Sequence, residues 1–187
     1  MRDLIVTENV TLDGVVENDG TWFDPTEASD RGRELASITA EHAAASDGFL
    51  VGRTTFQEMR GFWPQQQDDR TGVTSHLNQV AKYVVSATLQ DPGWQGTSVL
   101  RGGDALHDEV RALKDAPGRD IVLTGSLTLA GHLLRAGLVD ELRLFVYPVV
   151  LGRGRRLFPR DWRTSGLQPL EQRAIHDVVL LRFSLAR

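Results

Sequence analysis

Two short segments of this chain carry residue types suited to anion binding: Leu50-Val51-Gly52-Arg53-Thr54-Thr55-Phe56 and Val122-Leu123-Thr124-Gly125-Ser126-Leu127. In each, an apolar run of strand type reaches small or hydroxyl residues and then a helical pattern. Ligands of open α/β sheets bind outside the carboxyl ends of the strands, where helix N-termini offer free N–H groups to anions. Gly52 lets a ligand approach the backbone, Arg53 can neutralise a phosphate, and Thr54 and Thr55 can donate hydrogen bonds. The small residues 124–126 leave room for a pyrophosphate. The plainer alternatives are an ordinary helix start with a solvated Arg53, and a helix N-cap at Ser126. A third run, Gly152-Arg153-Gly154-Arg155-Arg156, lacks the third glycine of the dinucleotide fingerprint and opens no clear helix. It reads as a bent loop after a strand.

Other chemistries are excluded by what is missing. No cysteine is present, so disulfides, thiolate zinc sites, iron–sulfur clusters and cysteine nucleophiles are ruled out, including the zinc site of nucleobase deaminases. His42, His76, His107, His132 and His176 show no i, i+4 pair and no H-E-x-x-H, so no metal site is indicated. His42 falls on an apolar helix face and reads as a packed histidine. There is no G-x-S-x-G elbow. The net charge of −4 argues against a broad nucleic-acid contact, which needs a basic surface. The N-terminus lacks a signal-peptide pattern and no stretch is long enough to span a membrane, so a cytoplasmic protein without a membrane partner is expected.

The elements that must position these residues alternate along 187 residues, a length that suits one domain. Short apolar runs at Leu4–Val10, Phe49–Val51, Tyr83–Val85, Ser98–Leu100, Ile121–Leu123 and Leu142–Val146 predict buried strands. Leu35, Ile38, His42 and Ala45 predict a helix after the cap-rich residues 24–27. Asp104 is the expected cap of a helix carrying Leu106, Val110 and Leu113. Ser126 caps another, carrying Leu127, Ala130 and Leu134. Weaker helical patterns cover 54–59 and 71–80, and 64–69 reads as an exposed loop. Gln168–Ile175 and Val178–Ser184 face each other across His176-Asp177 as an antiparallel hairpin. The order predicts an α/β domain over residues 1–187, with a mostly parallel sheet flanked by helices and a C-terminal hairpin.

Taken together, the motifs resemble the dihydrofolate reductase superfamily, in its small bacterial branch akin to the reductase domain of the bifunctional riboflavin-biosynthesis deaminase-reductase. The resemblance lies in Val10-Thr11-Leu12-Asp13-Gly14-Val15, Val51–Phe56, Lys82-Tyr83-Val84-Val85-Ser86, Thr124–Leu129, Gly137–Leu144 and Pro148–Gly154, in that order over nearly the whole chain. It implies NADPH across the carboxyl edge of the sheet. Gly52, Arg53, Thr54 and Thr55 would lie nearest the phosphates, and Thr124, Gly125, Ser126 and Leu127 would hold the pyrophosphate. Ser86 would meet the adenosine 2′-phosphate. The 11–16 loop would cover the nicotinamide, and Trp22 and Trp63 would wall the substrate pocket.

The departures also carry information. Ala87 stands where relatives often have an arginine for the 2′-phosphate, so NADH stays open as the cofactor. No carboxylate stands at Ala36, near where dihydrofolate reductases hold the pterin. Thr7 and Leu123 replace the lysine and glutamate of the riboflavin-pathway enzymes. The resemblance therefore implies an NAD(P)H-dependent reductase of a small pterin- or pyrimidine-like heterocycle, with Asp13, Asp24 or water delivering the proton. Asp13 can equally be only the turn residue of its Asp-Gly pair. The alternatives are a non-catalytic nucleotide or folate-like binder and a flavin- or deazaflavin-using variant. A homodimer is expected, with the 142–150 strand region at its interface.

Overall fold

A computed structural model describes residues 1–66, 69 and 72–185. The six apolar runs form β1 (Leu4–Thr11), β2 (Ser46–Gly52), β3 (Ala81–Val85), β4 (Thr97–Leu100), β5 (Asp120–Leu123) and β6 (Glu141–Tyr147). All six are parallel, as apolar runs joined by helical crossovers require. The hairpin is β7 (Leu167–Ile175) and β8 (Val178–Leu185), turned at His176 with φ of 55°. Strand β8 adds antiparallel to β6, giving an eight-stranded sheet in the order β4-β3-β2-β5-β1-β6-β8-β7. The helices are α1 (Asp30–Ala44), α2 (Arg53–Phe62), α3 (Val73–Gln79), α4 (Leu106–Asp115) and α5 (Leu127–Arg135). Thr71 of the expected 71–80 helix, and Gln67 and Asp68 of the expected 64–69 loop, lie outside the described residues.

Two caps differ from expectation. Asp104 sits inside a 3-10 turn, Gly103–Ala105, so α4 starts later and its N-cap is Ala105, without a side-chain cap. Glu109 instead accepts from the N–H groups of Arg101 at 3.0 Å and Gly102 at 2.9 Å. Ser126 does hold the N-cap position of α5, but its hydroxyl does not cap that helix. In α1 the cap is Ser29, which accepts from Gly32 N–H at 3.1 Å.

The core lies on both faces of the sheet. Leu4, Val6, Leu123, Val110, Leu133 and Leu142 fill one side beneath α4 and α5. Phe49, Val51, Phe56, Leu77, Val84 and Trp94 pack under α2 and α3. Two buried lysines anchor helices. Lys82 donates to the Leu77 and Val80 carbonyls at the end of α3, and Lys114 pairs with buried Asp140 at 2.5 Å. Helix α1 is the exception: Ile38 is its one fully buried side chain, Leu35 packs partly buried beside it, and Thr39, His42 and Ala43 face a cavity. The strand expected at a dimer interface, β6, lies between β1 and β8 with Leu142 and Tyr147 buried within the chain.

The sheet has an opening at its centre. Strand β5 ends at Leu123, in register with Val6 and Leu50, whereas β1 runs on to Thr11 and β2 to Gly52. Beyond Leu123 nothing of β5 lies between β1 and β2. Successive side chains of a strand face opposite sides, so Thr7 and Glu8 flank this gap on its two faces.

Candidate functional site

Two clefts meet the gap, one on each face. On the α5 side, a cavity of about 520 Å3 is lined by Glu8, Gly52–Thr55 and Gly125–Thr128, with Arg155 and His132 at its edge. On the α1 side, a cavity of about 410 Å3 is lined by Thr7, Phe23, Leu35, His42, Trp63 and Phe145 among others. Both volumes lie in the range of small-molecule sites. Thr124 lines the α1 cleft while Gly125 and Ser126 line the α5 cleft, so the chain crosses the plane of the sheet at this point.

The two segments singled out by sequence are tied to each other in the α5 cleft. Gly52 N–H donates to Ser126 Oγ at 2.8 Å, and Ser126 N–H donates to Thr55 Oγ1 at 3.1 Å. Ser126 is drawn into this pair at φ 24°, a left-handed conformation uncommon for serine. Gly125 sits at φ +71°, and a Cβ there would fall 2.7 Å from Thr55 Cγ2, so the position demands glycine. The N-cap of α2 is Gly52, which has no side chain, and the Ser126 hydroxyl at the N-cap of α5 is spent on Gly52, so neither helix has a side-chain cap. Two helix N-termini with free N–H groups therefore line one cleft, an arrangement that attracts anions.

Arginines stand at the rim. Arg53 donates to Thr88 Oγ1 at the exposed edge, and Arg155 donates to Thr128 Oγ1 at 3.3 Å. Arg155 arrives from the 152–156 loop that sequence reading set aside. That loop is strapped to the 12–17 loop: Gly152 N–H donates to Asp13, Arg155 N–H donates to Glu17, and Val16 N–H donates to the Arg155 carbonyl. Its contribution was hidden because it depends on a contact between segments about 140 residues apart in sequence.

Ser86 lines neither cleft. It is buried, and its oxygen accepts from the N–H groups of Thr88 and Leu89 at 3.3 and 3.0 Å. Asp13 also lies outside both clefts. Its carboxylate accepts from Thr11 Oγ1 at 2.7 Å and from the N–H groups of Leu151 and Gly152. The Thr11 hydroxyl and these amides hold its pKa below the ordinary value, so it carries no proton near neutrality and serves as a loop anchor. Asp24 does line the α1 cleft, at its exposed mouth. Thr26 donates to it from both hydroxyl and backbone N–H, again lowering its pKa.

Trp63 lines the α1 cleft. Trp22 stands behind it, buried, edge-on to Tyr147 at 5.2 Å and donating to the Glu17 carbonyl at 3.2 Å. Its neighbour Phe23 takes the place on the wall. Deeper, His42 faces the cleft rather than packing in a core. Burial, then the Arg143 and Arg182 charges, push its pKa down to about 4, so it is neutral at physiological pH. His42 Nδ1 and Thr7 Oγ1 are both buried and have no hydrogen-bond partner. Buried polar atoms are normally paired, so these two mark places where a polar ligand edge or water belongs. Sequence periodicity had placed His42 on the correct helix face, but could not show that this face meets a cavity.

One group on the α5 side escaped sequence reading altogether. Glu8, on the central strand β1, is 6% exposed, and its Oε1 has no hydrogen-bond partner. Burial raises its pKa well above the usual carboxylate value, partly opposed by a hydrogen bond from Gly125 N–H. Among the described residues no cluster of three or more His, Cys, Asp or Glu side chains could hold a metal ion. No described helix is long and apolar enough to cross a membrane.

The architecture has close counterparts. A family model described as the RibD C-terminal domain matches residues 2–181. The uncharacterized protein YyaP of Bacillus subtilis (strain 168) is 33% identical over 164 residues, covering 84% of this chain and 80% of its own. The structure of a putative riboflavin biosynthesis protein from Shewanella sp. PV-4 superposes with a TM-score of 0.69 at 18% identity, covering 99% of both chains. A diaminohydroxyphosphoribosylaminopyrimidine deaminase/5-amino-6-(5-phosphoribosylamino)uracil reductase from Thermotoga maritima gives 0.67 at 14% identity, covering 99% of this chain and 57% of that one. With its dihydrofolate reductase-like fold and a family match spanning almost its whole length, the chain belongs to the RibD C-terminal domain family.

Proposed function

We propose that this protein is an NADPH-dependent reductase of a small, planar pyrimidine- or pterin-like heterocycle. The observation that carries the reading is the convergence of two uncapped helix N-termini, joined through Gly52, Ser126 and Thr55, on one cleft. That cradle fits a dinucleotide pyrophosphate: the amides at 53–55 and 127–128 supply donors, Gly125 leaves the backbone open, and Arg155 offers charge. When bound, NADPH supplies the hydride. Family membership supports the same assignment.

The substrate belongs in the α1 cleft. Phe23, Trp63 and Phe145 suit an aromatic ring, and the unpartnered His42 Nδ1 and Thr7 Oγ1 suit its polar edge. The gap beyond Leu123 is where reactants on the two faces of the sheet can come into contact, which hydride transfer requires. Among the described residues, the α1 cleft holds no ready acid. Asp24 and Glu27 are held ionised, His42 and His76 are held neutral, and the Tyr147 phenol is raised to about 12. The proton then comes from water entering at the mouth beside Asp24.

The Ser86 hydroxyl is engaged by the Thr88 and Leu89 amides, and Arg53 at the rim is the charge proposed to select NADPH over NADH. Arg53→Ala is expected to weaken NADPH binding about tenfold or more, with little effect on NADH. Equal losses for both would contradict that role. A homodimer remains part of the proposal; both edges of β6 are paired within the sheet, so the 142–150 region offers its exposed end, at Val150, rather than a free strand edge. Light scattering that found only a 20.7 kDa species would remove it. The direct test of the reaction is oxidation of NADPH with pterin and pyrimidine substrates, followed by its absorbance. Binding of NADPH without turnover of any of them would favour a non-catalytic binder on the same fold.

A further inference from the structure

Glu8 is an expensive residue to keep where it is. It stands mid-strand on β1, in register with Leu144 of β6, where neighbouring positions are Val6 and Val10. A buried carboxyl oxygen without a partner costs free energy that an apolar side chain would not. Such violations of local rules concentrate at functional sites. Glu8 also lines the α5 cleft beside the gap, and the adjacent residue Thr7 leaves an unpartnered oxygen on the opposite face at the same place. Two consecutive residues thus present unpaired polar atoms to the two clefts where those clefts meet.

We infer that Glu8 is a ligand-binding residue of the α5 cleft, its carboxyl group donating a hydrogen bond to an acceptor oxygen of the bound nucleotide. The inference rests on the proposed cofactor site and adds to it a group that no strand-glycine-helix motif contains. Donation to a nucleotide oxygen requires a protonated carboxyl. Gly125 N–H donates to the group and by itself favours the ionised form, but an ionised Glu8 would face a nucleotide phosphate with like charge, and its Oε1 has no donor to satisfy it. Burial favours the protonated form in the free protein. The other charged or titratable groups facing this cleft are Glu17, Arg53, Glu58, His132 and Arg155. Glu8→Gln leaves all five in place, so the Glu8 contribution is read as the difference between the parent and that variant.

The test is calorimetric titration of NADPH into the full-length protein and into Glu8→Gln and Glu8→Leu, from pH 6 to pH 9. Glu8→Gln keeps a donor that cannot ionise. It is expected to bind NADPH at pH 6 nearly as the parent does, and to hold its affinity where the parent loses up to about tenfold per pH unit above the Glu8 pKa. Glu8→Leu is expected to lose about tenfold at pH 6. Thermal melts without ligand give a second readout. Between the ordinary and the raised pKa the folded state keeps a proton that the unfolded state has released, so the parent loses stability as pH rises relative to Glu8→Gln. Parallel pH profiles for parent and Glu8→Gln, in binding and in melting, would overturn the inference while leaving the cofactor site intact. Failure of the parent to bind NADPH at any pH would overturn the cofactor reading and the inference with it.

Discussion

Gly125 shows how tightly single residues define the α5 cleft. A methyl group there would meet Thr55 Cγ2 at 2.7 Å and force a side chain into a left-handed conformation. Gly125→Ala is therefore expected to cost about 1–3 kcal/mol of stability. It should also weaken NADPH binding, because Thr55 must move and Thr55 holds Ser126. A melting temperature and an NADPH affinity both unchanged from the parent would contradict this. His42 makes a prediction on the other face. Its folded pKa of about 4 lies below the ordinary 6.5. Between those values the unfolded state binds a proton that the folded state lacks, so stability rises with pH across that window. His42→Gln should flatten that part of the acid limb and weaken substrate binding without altering NADPH affinity. An unchanged acid limb would show that His42 is not held neutral.

At the scale of elements, two kinds of tie can be separated experimentally. The Gly52–Ser126–Thr55 linkage joins the N-termini of α2 and α5 at the carboxyl edge of the sheet. Thr55→Val removes the acceptor of Ser126 N–H, and a loss of one such bond corresponds to about 0.5–1.5 kcal/mol, or up to roughly tenfold in NADPH affinity. The Lys114–Asp140 pair joins α4 to the opposite edge, where Asp140 also accepts from Leu4 N–H at 2.8 Å. Asp140→Ala leaves Lys114 buried without its counter-ion and should cost about 3–5 kcal/mol. That loss should appear in denaturant unfolding, while NADPH affinity of the folded protein is retained. The elements themselves were legible in the sequence, because short apolar runs and 3.6-residue periodicity report burial directly. The caps at Asp104 and Ser126 were not: a 3-10 turn displaced one, and a partner 74 residues away claimed the other's hydroxyl.

At the scale of the molecule, function depends on a sheet with ligand space on both faces. In the proposed reading, substrate and cofactor take separate clefts on the two faces of the sheet, beside the gap where β5 stops. An unreactive substrate analogue and NADP+ should therefore bind together, and saturating one should leave the other's site available. Mutual exclusion would contradict the two-cleft arrangement. Sequence motifs pointed to the segments that line the α5 cleft, since strand, glycine, hydroxyl and helix follow one another locally. They missed Glu8, the part played by Arg155 and the cavity under α1, which arise only when distant strands and loops are brought together. The central claim is that NADPH binds between the N-termini of α2 and α5. Its most direct test is an NADPH titration followed by backbone amide chemical shifts. Saturable shifts are expected, centred on the N–H groups of Gly52–Thr55 and Gly125–Thr128. No saturation up to about 1 mM, the upper end of ordinary cofactor and substrate affinities, or shifts confined to other elements, would contradict it.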